Sequence, residues 1–298
     1  GREFSDFLLP PASPPPGIIT KNEKKWRELR RFTLSTLRDF GMGKSSMSQR
    51  VQQEAQHLVE LLASLQGDLG HAVANVICAI VFGSHFSYSD TNFLKLLDMI
   101  GNFAPSPPVP LWPQVYNIFP SVLFRLPGPH RKVLAKCENL KGYIREQVEQ
   151  HRQTLDPSSP RDYIDCFLMK AEKVDVEKMY SDEDLVMSVF DLFGAGTVTT
   201  SNTLVFFILV LAKFPHIQAK VQEEIDAVVG PVRTPCMEDR LRMPYTNAVI
   251  HELQRIPRAG IESFPRMTTQ DVEFRGHTIP KVTLGALQLR GRTAAGLE

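Results

Sequence analysis

Asp191, Ala195 and Thr199 recur four residues apart, a spacing that brings a carboxylate, a methyl and a hydroxyl onto one helix face. The run around them, from Asp184 to Lys213, is apolar on nearly every side, as a helix through the middle of a core is. Gly194 and Gly196 lie inside it, although an interior glycine costs about 1 kcal/mol relative to alanine. Small residues let a bulky, flat body approach the backbone. The hydroxyls of Thr199 and Thr200 can bond to carbonyls and open the helix locally. A hydroxyl beside such a groove could pass protons to a bound ligand. Close helix–helix packing calls for the same small residues, and the motif by itself leaves both readings open.

Two further pairs have chemical potential. Trp26 and Arg30 are one helical turn apart, so an indole N–H and a guanidinium can converge on one carboxylate. A solvated basic helix with a half-buried tryptophan accounts for them equally simply. Glu252 and Arg255 are three apart and can pair within one helix. His216 and His251 lack metal-like partners in sequence. The four cysteines, Cys78, Cys137, Cys166 and Cys236, have no zinc-site or redox-motif spacing. Most sit in apolar surroundings, which points to a reducing compartment without a disulfide framework.

The elements that must position these residues are mostly helical. A Pro-rich stretch from Leu9 to Pro16 reads as an extended connector. Helices are expected from Lys21 to about Leu37, where Gly41 and Gly43 stop the chain, from Met47 to about Leu65, and over 69–82. Residues 104–128, rich in proline and aromatics, suggest short helices and loops. Lys132 to His151 is a long amphipathic helix, and another opens at Ser158–Asp162. Ser181-Asp182-Glu183-Asp184 supplies a capping serine and first-turn acids for the long apolar helix, which Phe214-Pro215 ends. Helices follow over His216–Val229 and Tyr245–Ile256. Only Asp271–Lys281 reads as β, a hairpin turning at Arg275-Gly276.

With a formal net charge of +1 and 22% charged residues, nothing global points to nucleic acid. The longest unbroken apolar run, Leu204–Ala212, is about half of the ~20 residues that a bilayer needs.

Ala195-Gly196-Thr197-Val198-Thr199-Thr200 resembles the oxygen-activation segment of the haem-thiolate monooxygenases, the cytochromes P450. Trp26-Arg27-Glu28-Leu29-Arg30 and Glu252-Leu253-Gln254-Arg255 are similar to that family's W-x-x-x-R and E-x-x-R, in its order and separations. Pro160–Leu168, Leu126–Pro129 and Met243–Glu252 resemble microsomal family 2. The resemblance implies a mainly α, partial cytochrome P450 fold with a minor β-hairpin, carried by residues 21–281. Residues 1–20 would be a remnant of an upstream loop, and residues 282–298 an unrelated tail.

What the resemblance implies for the site is specific. Trp26, Arg30 and Arg266 would bind haem propionates. Thr199 and Thr200, with Ala195 and Gly196, would shape the oxygen site, and Asp191 and Ala195 would face a substrate pocket. Glu252 and Arg255 would form a buried structural pair, under-satisfied without a third partner. Val198 stands where many members carry an acid, which makes Thr199 the better candidate for proton delivery. Lys24, Lys25, Arg27 and Arg31 would present a basic patch to a reductase that passes on NADPH-derived electrons. The substrate would be a lipophilic small molecule, and the setting the endoplasmic reticulum membrane, with any anchor upstream of Gly1.

None of the four cysteines lies in the glycine-rich loop from which the family supplies its axial thiolate, and no residue here is assigned as a metal ligand. The literal chain is therefore expected to be inactive. A non-catalytic truncated or pseudogene-like product and an α-helical ligand-binding module are the competing readings.

Overall fold

A computed structural model describes residues 18, 24–42, 45–63, 69–101, 129–173, 180–255, 266–268, 270–281 and 283–285. The expectations for the Pro-rich stretch and for residues 104–128 lie outside these. The chain divides into two compact units. The larger comprises Pro14–Ala104 and Gly128–Thr246; the smaller comprises Gly1–Ser13, Pro105–Pro127 and Asn247–Glu298.

In the larger unit, α1 (Lys24–Asp39), α2 (Ser45–Ala63), α3 (Leu69–Val81) and α4 (Thr91–Gly101) precede a long α5 (Pro129–Thr154). After α6 (Tyr163–Lys173) come the longest helix, α7 (Asp182–Lys213), and α8 (Pro215–Val228). α9 (Pro244–Arg255), whose residues from Asn247 onward belong to the smaller unit, follows a 3₁₀ turn at Met237–Arg242. Most of these fall where periodicity places them, within a few residues at the ends. α4 was not anticipated. Its start is fixed by Asp90, whose Oδ1 accepts the Asn92 and Phe93 amides at 2.7 and 3.3 Å. Phe93, Leu96 and Ile100 then supply its buried face.

α1 ends as its glycines suggest. Gly41 takes φ 98°, and the Gly41 and Met42 amides bond back to the Arg38 and Leu37 carbonyls at 3.0 and 2.9 Å. That pairing is a Schellman close, which a left-handed residue makes possible. α7 opens on the expected cap: Ser181 and Asp184 form a capping box, each side chain receiving the other's amide.

α7 packs mainly on α3. Its first half enters the core through Leu185, Val186, Val189 and Phe193, alongside Cys78 and Val81 of α3. Its second half differs: Leu204, Val205, Ile208 and Leu209 are 36 to 63% exposed. By length and hydropathy α7 could cross a bilayer, a possibility that a count of unbroken apolar residues does not register. Burial in the helical core accounts for the apolar character of the first half; the 18-residue stretch that meets this criterion is only 6% buried.

A polar cluster ties α5 to α6. The His151 ring places Nδ1 at 2.7 Å from the Gln147 carbonyl and Nε2 at 2.7 Å from Asp162, with both side chains buried. Two acceptors require both ring nitrogens to carry hydrogen, which only imidazolium provides. Burial opposes that charge, but Asp162's hydrogen bond and charge prevail, so the His151 pKa is raised. Asp165 closes the cluster, and Arg161 holds both its oxygens at 2.6 and 2.8 Å. His151, Asp162 and Asp165 sit close enough to share a metal ion, but these partners already occupy their donor atoms.

The smaller unit holds two antiparallel ladders. β2 (Val272–Phe274) and β3 (His277–Ile279) make the expected hairpin. Arg275 and Gly276, at φ 51° and 78°, give the two left-handed positions of a type I′ turn. β1 (Arg266–Met267) pairs with β4 (Leu284–Gly285), with Arg266 opposite Gly285. This second ladder corrects the expectation that only residues 271–281 are β. Two-residue strands eighteen positions apart carry no readable alternation.

Two outcomes follow. Gly83 has φ 62°, and an added Cβ would lie 2.7 Å from Asp162 Oδ2, so Gly83→Ala should cost about 2 kcal/mol in urea unfolding. The His151 contribution should be complete below the ordinary imidazole value of 6.5 and be lost as pH rises through its elevated folded value. Denaturation midpoints should therefore fall as pH rises above 6.5, and His151→Gln should flatten that slope.

Candidate haem-side site

The face of α7 singled out by spacing is open. Ala195 is exposed, Asp191 half-buried, and an added Cβ at Gly194 would meet nothing within 4 Å. Asp191, Ala195 and Gly196 line a cavity of about 170 Å³ together with Ile77 and Ile80 of α3 and Leu37 of α1. Asp191 is the one ionisable residue in that lining, so the cavity suits apolar matter.

The two glycines of α7 have different jobs. At Gly196 an added Cβ would stand 2.8 Å from Ile77 Cδ1, so its smallness serves the contact with α3. Gly194 has no such neighbour and leaves backbone accessible. The threonine hydroxyls did not open the helix. Thr199 Oγ1 donates to the Ala195 carbonyl at 2.6 Å, and Thr203 repeats this one turn on, donating to the Thr199 carbonyl at 2.6 Å. α7 nevertheless stays helical throughout, because an i−4 back-bond shares a carbonyl with the ladder without displacing it. Thr200 points to solvent.

Trp26 and Arg30 do converge, but on each other. The Arg30 guanidinium carbon sits 5.4 Å from the indole centroid, and the indole N–H donates to the Ile18 carbonyl at 2.6 Å. Ile18 in turn lines the α7 cavity, so this donor anchors a wall of the site. Arg30 is exposed.

The basic patch is less continuous than its sequence suggests. Lys25 turns inward and pairs with Asp184 of α7 at 2.5 Å, and Arg31 is 3.2 Å from Glu28. Arg27 is exposed; the Lys24 side chain is outside the described set. The inward turn was missed, although Lys25 shares a helix face with Leu29, Thr33 and Leu37, all buried.

In the smaller unit, Arg255 binds Glu252 through two bonds of 2.7 and 2.5 Å. The pairing lowers the carboxyl pKa and raises that of the guanidinium. Contrary to expectation the pair is not buried: the side chains are 44 and 41% exposed, so no uncompensated burial weakens it. Arg266 lies in β1, and its side chain falls outside the described residues.

With this geometry in place, comparison with known proteins defines the class: the cytochrome P450 family model matches residues 7–289, and the chain belongs to that family. Among individual relatives it is 47% identical to rabbit (Oryctolagus cuniculus) cytochrome P450 2C16 over 294 residues, covering 95% of this chain and 60% of that protein. It is 48% identical to human (Homo sapiens) cytochrome P450 2C8 over 279 residues, 90% of this chain and 56% of the relative. Cytochrome P450 2C20 of Macaca fascicularis is 49% identical over 280 residues, with the same coverage. The chain thus spans about 60% of the length of the first of these relatives. The family match continues eight residues past Lys281, through the stretch that forms β4.

The family implies haem, and the residues present fit one side of it. A flat macrocycle can approach α7 at Gly194 and Ala195, and Arg30 offers an exposed cation for a carboxylate. Cys78, Cys137 and Cys166 fit the opposite, sulfur-donating side poorly. Burial pushes the Cys78 thiol well up, raises Cys137, and lifts Cys166 to about 11. Trp26→Phe deletes the donor to Ile18 while keeping an aromatic ring; a loss of about 1 kcal/mol in chemical unfolding is expected.

Proposed function

We propose that this chain is part of a haem-dependent monooxygenase that inserts one atom of O2 into a lipophilic small molecule, with electrons from a partner reductase. The observation that carries the reading is the α7 face, where a 2.6 Å Thr199–Ala195 hydrogen bond lies beside an apolar cavity and unhindered backbone. Bound haem would supply the iron and the redox chemistry.

The chain's own residues would do the rest. Arg30 would hold a propionate, with Trp26 stacked beneath its guanidinium; Arg266 is a propionate candidate by family resemblance alone. Ala195 and Gly194 would let the ring approach. Thr199 keeps its hydroxyl hydrogen on the Ala195 carbonyl one turn back, a bond it would give up to hand a proton to a ligand over the ring. Thr200, with no place on that face, would act only through the helix. Asp191, at the cavity wall, would orient substrate. Apolar lining around it keeps water out. Arg27 and Arg31 remain on the exposed side of α1 as contributors to a reductase-facing surface; Lys25 is held back by Asp184. An endoplasmic reticulum setting belongs to the same reading.

The cysteine environments favour a second reading of the 298-residue polypeptide taken alone: that it binds haem or an apolar ligand without a sulfur bond and without turnover. Titration with haemin distinguishes these. Uptake is expected, weakened roughly tenfold in Arg30→Met. A reduced, carbon monoxide-treated sample with a thiolate-type Soret band would contradict the cysteine reading, and failure to take up any haemin would remove the haem-holding role.

A further inference from the structure

The Lys25–Asp184 pair is costly as a device for stability. Asp184 is 1% exposed, and its Oδ2 receives the Ser181 amide at 3.0 Å, the Ser181 hydroxyl and the Lys25 ammonium at 2.5 Å. Its Oδ1, also buried, has no hydrogen-bond partner among the described residues. Removing the Asp184 carboxylate from water costs several kcal/mol, and a half-satisfied pairing with a lysine still 27% exposed recovers that poorly. Such pairs are better explained by the arrangement they impose.

That arrangement is legible along α1. Its inward face is Lys25, Leu29, Thr33 and Leu37. Leu29 is held by the core, and Thr33 by a 2.9 Å bond to the buried Tyr163 hydroxyl of α6. Only Lys25 holds the first turn of that face, and its partner lies on α7. Trp26 and Arg30 occupy the adjoining face, so the ion pair sets how far that end of α1 stands from α7.

We propose that Lys25 and Asp184 are positioning residues that fix the Trp26–Arg30 face of α1 relative to the open face of α7, and so hold the anion-binding and oxygen-facing sides of the site at a set separation. The proposal rests on the haem-holding role assigned above to Arg30 and Trp26. It also removes Lys25 from the surface charge of α1 and gives the basic residue preceding the tryptophan an internal function.

The test uses the full chain carrying Trp112→Phe, which leaves Trp26 as the reporter. Lys25→Met and Asp184→Asn should each raise acrylamide quenching of Trp26 and weaken haemin binding about tenfold, the scale of losing an outer support to a cofactor ligand. Lys25→Arg, which keeps the charge, should restore both. If Asp184→Asn fails to fold, as its role in the α7 cap allows, the comparison of Lys25→Met with Lys25→Arg decides the matter. Unchanged Trp26 quenching in a folded Lys25→Met would overturn the proposal, as would equal effects of methionine and arginine. Should the parent chain take up no haemin, the haem role fails, while the quenching series still decides whether the pair positions α1.

Discussion

Burial of one half of α7 against α3 is the constraint on which the larger unit depends. An apolar helix of 32 residues cannot be wrapped entirely by a unit this small, and the fold resolves this along the helix axis. Leu185, Val189 and Phe193 lie at the centre of the core, whereas Ile208 and Leu209 remain largely uncovered. The residues with chemical potential sit at the transition between these regimes. There the backbone is accessible on one side and tightly packed on the other, which is what a site needs if it is to be open to a ligand and still rigid.

Around this axis the polar interactions divide by purpose. The capping box at Ser181 and the Schellman close at Gly41 end helices and need no further explanation. His151 and Asp162 knit α5 to α6, and the left-handed Gly83 makes room for that carboxylate. Lys25 and Asp184 join α1 to α7 in a geometry that leaves one carboxylate oxygen without a partner. The last of these adjoins Trp26 and Arg30, the residues that could meet a cofactor's carboxylate. Its incomplete satisfaction marks it as different in kind from the others.

The order of helices, the capping of α7 and the i, i+4 face bearing Asp191, Ala195 and Thr199 were legible because each is a local property of sequence. So was the Glu252–Arg255 pairing, which spacing alone permits. Its exposure was not, because burial depends on what surrounds a helix. Trp26 and Arg30 show the same limit: spacing says that two groups can converge, and only the fold shows that the indole N–H goes to the Ile18 carbonyl. α4 escaped notice although Ser-Asp-Thr-Asn before an apolar i, i+3, i+7 set is a readable start. The β1–β4 ladder and the His151–Asp162 bond join residues through loops and have no local signature. The inward turn of Lys25 was hidden by the run of basic residues around it, where attention to charge obscured the periodicity.

Gly196 and Ile77 carry a consequence for how such a chain can change. The δ-methyl of the isoleucine stands 2.8 Å from where the first carbon of any side chain at position 196 would have to go, so one of the two must shift. Volume there belongs to neither residue separately, and a substitution tolerated at one depends on what occupies the other. Enlarging 196 becomes acceptable only after 77 has been shortened. That order passes through a small void, which a core tolerates more readily than the collision met in the reverse order. Drift at this contact therefore has a preferred direction.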